Sequence, residues 1–135
     1  MKQRLATELR TLGHEVLDLG AHDADRVDYP DFGAAVGRAV AGAEADLGVC
    51  VCGSGIGIAM AANKVPGVRA APVHDATSAR LARQHNDANV LCLGERLLDP
   101  DVASAAVRAW LDAEFEGGRH VGRVAKLAEL DGSVG

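Results

Sequence analysis

Apolar and polar positions recur along this chain in two rhythms, and the rhythms divide it into helices and strands. In residues 3–12, Leu5, Leu9 and Leu12 fall on one helical stripe, and Gly13 marks its stop. EVLDLG (15–20) reads as a short strand. In DYPDFGAAVGRAVAGAEAD (28–46), Phe32, Val36, Ala39, Val40 and Ala43 recur at three- and four-residue steps. With Pro30 near the first turn, that spacing predicts a helix. LGVCVC (47–52) is nearly continuous in apolar residues, as a strand buried on both faces requires. A helix to about Asn63 follows, then a strand at VRAAPV (68–73) and a helix from Ala76 to about His85, capped by Asp75. NVLCLG (89–94) is a further strand. Asp99-Pro100 opens a helix through Trp110, and a last helix runs from about His120 to Leu130.

Helices and strands alternate with short connections, which predicts a parallel sheet with helices on both faces. The expected fold is an open, doubly wound, Rossmann-like α/β domain. No internal repeat or linker divides the chain, so residues 1–135 read as one domain. The order has one irregularity, a helix that directly follows Met1. In a right-handed α/β winding a helix joins two strands, so a leading strand is apparently missing. A helix-first topology is the plain alternative.

Composition narrows the possibilities. Aromatic residues are only 3%, so the core must be built from Val, Leu, Ile and Ala. A net charge of −5 argues against a nucleic-acid partner, which needs a basic surface. The apolar runs are strand-length, so neither a membrane span nor a secretory segment is expected. Three cysteines do not make a disulfide framework, and a reducing cytoplasm is the expected location.

The chemistry gathers at LGVCVCGSGIGIAMAANK (47–64), where a buried strand ends in Cys52 and glycines 53, 55 and 57 lead into a helix. Ligands of open parallel sheets bind at the carboxyl ends of the strands. Amide groups converging there favour a negatively charged sulfur. The spacing fits neither the dinucleotide fingerprint nor a phosphate loop, and Lys64 is too far along for the latter. The residues alone leave Cys52 either a reactive thiol beside an oxyanion pocket or a small buried hydrophobe. Cys50 and Cys92 read as core, and no further ligands make a metal site of the Cys-x-Cys pair. His85 ends a helix, where the dipole favours an imidazolium that acts as an acid or caps the last carbonyls. His14 and His22 read as solvated, and His74, at a strand end, as ambiguous. Arg119 and Arg123, four apart, share a helix face and with Arg96 are candidates to grip a phosphate, or else a solvated surface.

VDYPDF (27–32), CGSGIGIAMAANKVPGVRAA (52–71), ARQHNDANVLCLGER (82–96) and EGGRH (116–120) together resemble the type B ribose-5-phosphate isomerases and the related galactose-6-phosphate isomerase subunits. The resemblance covers essentially the whole chain. It implies interconversion of ribose 5-phosphate and ribulose 5-phosphate through an enediol, with no metal and no cofactor. Cys52 matches the family's catalytic base, and Gly53, Ser54, Gly55, Ile56 and Gly57 the loop that holds the enediolate oxygen. Ser54 stands where many members carry threonine, which keeps the hydroxyl. His85 matches the residue that helps open the sugar ring, with Asn86 as a ligand contact. Arg96, Arg119 and Arg123 match sugar-phosphate contacts, with His120 among them. A branch that uses a loop glutamate instead has it where this chain has Ile58, which assigns the chemistry to Cys52.

The resemblance also implies a homodimer, or a dimer of dimers, with sites built from both chains. Family members begin with a strand and a Ser-Asp-His-Ala-Gly-type loop, which nothing here matches. That strand is expected between EVLDLG and LGVCVC, so a start assigned too late or a truncation is the expectation. The alternatives are an isomerase of another phosphosugar (a tetrulose 4-phosphate, allose 6-phosphate or galactose 6-phosphate) or a truncated, non-catalytic phosphosugar-binding protein.

Overall fold

The computed structural model describes residues 1–20 and 28–132, so His22 and Val27 lie outside it. Three apolar runs form strands: β1 (Gly48–Cys52), β2 (Ala70–Pro72) and β3 (Val90–Gly94). All pair in parallel in the order β1-β3-β2, with Cys50 opposite Cys92 and Ala71 opposite Leu91. Central β3 has neighbours on both edges and helices on both faces, and Val90 to Leu93 are wholly buried. That is why its sequence runs apolar without alternation.

Among the described residues there are six helices: α1 (Lys2–Thr11), α2 (Tyr29–Ala41), α3 (Ile56–Ala62), α4 (Ala76–Asn86), α5 (Pro100–Asp112) and α6 (His120–Asp131). The pleat sorts the side chains between two cores. Val90, Cys92 and Cys50 face α2 and α3, where Val36, Val40, Ile58 and Ala62 meet them. Leu91 and Leu93 face α1, α4 and α5, where Leu5, Ala82, Val107 and Trp110 pack. Ala79, Ala103 and Ala106 are fully buried and let helices and sheet approach closely. Trp110 fills the remaining depth and donates its indole N–H to the Ala88 carbonyl at 3.2 Å. The Asp75 cap is present: Asp75 Oδ1 accepts from the Ser78 amide at 2.7 Å, and Ser78 Oγ returns the contact to the Asp75 amide.

Two expected boundaries need correction. EVLDLG is not a strand, and residues 14–19 carry no regular structure. A strand exists only through its ladder, and this segment is held away from β1 by a groove of about 580 Å³ lined by Leu5, Val16, Leu19, Val36, Val49 and Trp110. Helix α2 ends at Ala41 rather than reaching 46. Ala43 turns to φ 61°, and the amides of Glu44 and Ala45 donate back to the Ala39 carbonyl. Gly42 and a left-handed residue stop the helix although its apolar spacing continues.

The end of β3 is locked against the glycine loop. A Cβ at Gly94 would lie 2.5 Å from the Ser54 carbonyl oxygen and 2.6 Å from its carbon. Both are backbone atoms, so no rotamer change relieves the clash. Gly94→Ala should therefore destabilise the domain by about 1–3 kcal/mol. Calorimetry would show it as a melting midpoint several degrees lower, and an unchanged midpoint would mean that the loop is not anchored there.

Candidate active site

Cys52 is the last residue of β1, so its sulfur stands at the carboxyl edge of the sheet, half-buried. The chain turns sharply there because Gly55 adopts φ 78° and lies so close to β3 that a Cβ would be 2.9 Å from the Leu93 carbonyl carbon. That turn aims the Gly55 amide at Cys52 Sγ, 3.2 Å away, and gives negative charge on sulfur a backbone donor. The Ile56 amide donates to Ser54 Oγ at 3.2 Å. The chain leaving β3 runs beside the loop: the Glu95 amide donates to the Cys52 carbonyl (2.8 Å) and that of Arg96 to the Gly53 carbonyl (3.0 Å). The Arg96 guanidinium thereby reaches Gly53, three of its atoms lying 3.4 Å from the position of a Cβ. Tyr29 lays its ring over Gly57, its phenol oxygen 3.0 Å from where a Cβ would stand, and is half exposed. Ile58 is buried in the core and offers nothing to this site.

A second cluster forms where α4 ends. His85 is in its last turn, and the connector from α5 is pinned beside it by the Glu116 amide, which donates to the Gln84 carbonyl at 2.9 Å. Glu116 Oε1 lies 3.5 Å from His85 Nε2 and 3.8 Å from His120 Nε2. The two imidazoles stack, centroids 4.4 Å apart and planes 15° apart. His120 is buried, and its burial holds it below the usual imidazole range. The charges of His85, Arg119 and Arg123 act in the same direction, and Glu116 opposes them. Arg119 and Arg123 are exposed at the start of α6, and Asn86 is exposed at the end of α4.

The donor atoms of His85, Glu116 and His120 lie within 4.8 Å of one another, a set of the kind that zinc accepts. Their orientation does not suit a cation. Ring planes only 15° apart send the two Nε2 lone pairs side by side rather than to one point, and two arginines add positive charge. The cluster is better suited to hold a proton between two rings and a carboxylate.

The expected site residues thus fall into two groups. Cys52, Ser54, Gly53, Gly55, Ile56, Gly57 and Arg96 meet at the carboxyl end of the sheet, whereas His85, Asn86, Arg119, His120 and Arg123 meet at the amino end. Because α4 runs back antiparallel to the strands, the groups are separated by about one strand length, roughly 16 Å for a strand of this size. His74, exposed at the end of β2, is two strands from Cys52, and His14 is exposed. Cys50 and Cys92 are core, and hydrogen bonding between these facing thiols, with burial, pushes Cys92 far above the usual thiol range. Tyr29 and Glu116 were not expected. The signal for Tyr29 is Pro30, which sets the start of α2 at the rim of the loop, and Glu116 directly precedes the Gly117-Gly118 turn.

Among the described residues, no helix is long and apolar enough to cross a membrane. Residues 1–127 match the ribose/galactose isomerase family. The chain is 44% identical to ribose-5-phosphate isomerase B of Escherichia coli over 131 residues, covering 97% of this chain and 88% of that protein. Ribose-5-phosphate isomerase B of Clostridium thermocellum superposes with a TM-score of 0.96 at 49% identity, over 99% of this chain and 90% of that one. The Mycoplasma genitalium enzyme, solved with bound ribulose 5-phosphate, superposes with a TM-score of 0.93 at 42% identity, over 98% and 89%. This chain, with its cysteine at the lip of a glycine loop, belongs to the ribose/galactose isomerase family of sugar-phosphate isomerases.

Proposed function

We propose that this protein interconverts ribose 5-phosphate and ribulose 5-phosphate, with Cys52 as the base. The observation that carries this reading is the placement of Cys52 Sγ, held by the Gly55 amide at the lip of the loop and flanked by Arg96. Starting from the open aldose, the thiolate takes the proton from C2. The freed electron pair forms the C1–C2 double bond, and the carbonyl oxygen on C1 gains negative charge. Backbone amides of the Gly53–Gly57 loop meet that charge as it develops. As the proton returns to C1, the C2 hydroxyl gives up its proton and becomes the carbonyl while the C1 oxygen takes up a proton in exchange, which completes the ketose. The thiol ends as it began, and every electron moves within the substrate.

The amino-end cluster supplies the rest in this reading, from a second copy of the chain. His85 lies a strand length from Cys52 within one molecule, so it serves the sulfur only if a neighbour presents it. In such a homodimer or dimer of dimers, His85 and Asn86 of one copy meet the sugar ring above Cys52 of the other. Arg119, Arg123 and His120 bind the phosphate, as guanidinium forks do well. A phosphorylated sugar does not leave the cell unaided, so this reading places the protein in the cytoplasm.

The family also includes galactose-type members, so the choice of sugar is what the experiment must decide. Purified protein should turn over ribose 5-phosphate faster than galactose 6-phosphate, allose 6-phosphate or erythrulose 4-phosphate. Ketose formed in D2O should carry deuterium at C1 in at least part of the product. A preference for another phosphosugar would change the substrate but keep the mechanism. Binding without turnover of any of them would overturn the assignment as an enzyme.

A further inference from the structure

The role given to His85 leaves one neighbour unused. Glu116 is exposed, yet its amide is tied to α4 and its Oε1 lies 3.5 Å from His85 Nε2. The other acid nearby, Asp87, is engaged by Arg83 at 3.0 Å and Arg69 at 3.5 Å. From α6, the groups that bear on the pair are His120, stacked on the His85 ring, with Arg119 and Arg123 beside it. Glu116 is the negative charge set against this positive surround.

We propose that Glu116 is the positioning carboxylate of His85, facing its Nε2–H so that Nδ1 is the nitrogen presented to the sugar. This rests on the reading that His85 acts on the closed ring. Opening the furanose breaks the bond from C1 to the ring oxygen, which takes the electron pair and a proton from His85 Nδ1–H. The anomeric hydroxyl gives its proton to water, and its electron pair forms the C1 carbonyl. His85 is left neutral with its remaining proton on Nε2, the tautomer that a carboxylate at that nitrogen favours. Solvent then reprotonates Nδ1. His120 contributes as a neutral platform, since its burial disfavours a second positive ring against the first. Glu116 acts through His85 and need not touch the substrate.

The test is Glu116→Gln in the full chain, which keeps an acceptor at the same place but removes the charge. A carboxylate holds the proton of a neutral imidazole on the nitrogen it faces more firmly than an amide oxygen does. Assigned imidazole 15N resonances at alkaline pH should therefore show His85 as the Nε2–H tautomer, and a mixture of the two tautomers in the variant. The kcat/KM for ribose 5-phosphate should fall with it by about tenfold. Glu116→Asp, which keeps the charge, should restore most of both, whereas a purely structural role predicts no dependence on charge. An unchanged His85 tautomer and an unchanged kcat/KM in Glu116→Gln, with His85→Asn still inactive, would overturn this inference alone. Full activity of His85→Asn would instead overturn the role of His85 and the inference with it.

Discussion

Cys52→Ala should lower turnover of ribose 5-phosphate by about a thousandfold, because a positioned base contributes on the order of 10²–10⁴ to a proton transfer. The fold should survive. Cys52 is half-buried at the end of a strand, and its sulfur accepts from the Gly55 amide at 3.2 Å. Losing that contact costs about 1 kcal/mol, a small fraction of a domain's stability. A melting curve alongside the assay separates chemistry from folding. Cys52→Ser sharpens the comparison. Serine keeps an acceptor for the amide, but its hydroxyl gives up a proton far less readily than a thiol, so it should be almost as inactive as alanine. Near-normal turnover in the alanine variant would end the case for the sulfur as base, and recovery with serine would make its role structural.

Mixing two inactive variants should restore activity if the two ends of the sheet meet across copies. Cys52→Ala spoils the carboxyl-end half of a site, and His85→Ala spoils the amino-end half. A mixed dimer places both defects in one site and leaves the other whole. Random pairing makes half of the dimers mixed, so co-refolded variants should recover roughly a quarter of wild-type activity. No site within one chain predicts that result, because each chain carries one defect. The observation behind it is topological. A helix that follows a parallel strand must run back, and α4 therefore delivers His85 to the edge opposite Cys52. If the mixture stays as inactive as its parts, His85 does not complete the Cys52 site of another copy.

The first experiment builds on features legible in the sequence. The apolar runs at 47–52 and 89–94 announced strands buried on both faces, since solvent on either side would have demanded polar alternation. Asp75 announced a cap, and Cys52 with its glycines a tight turn where backbone approaches backbone. EVLDLG misled because alternation records which face is buried, not whether a ladder partner exists. Helix α2 misled in its length because Ala43 has no intrinsic preference for the left-handed turn it makes. Glu116 was hidden for another reason: it lies against a histidine 31 positions away, and spacing rules reach only about one helical turn.

Local pattern was enough to establish the class of fold and the layers of its core and to single out Cys52 as the candidate thiol, because each depends on neighbours within a few residues or on burial alone. Long-range placement decided the remainder. Only the assembled sheet shows Arg96 and Tyr29 beside the thiol's loop, His85 stacked on His120 against a carboxylate, and these two clusters facing away from each other. The physical reason is that strand order and helix direction are set by packing the whole chain at once, and no short stretch carries that information.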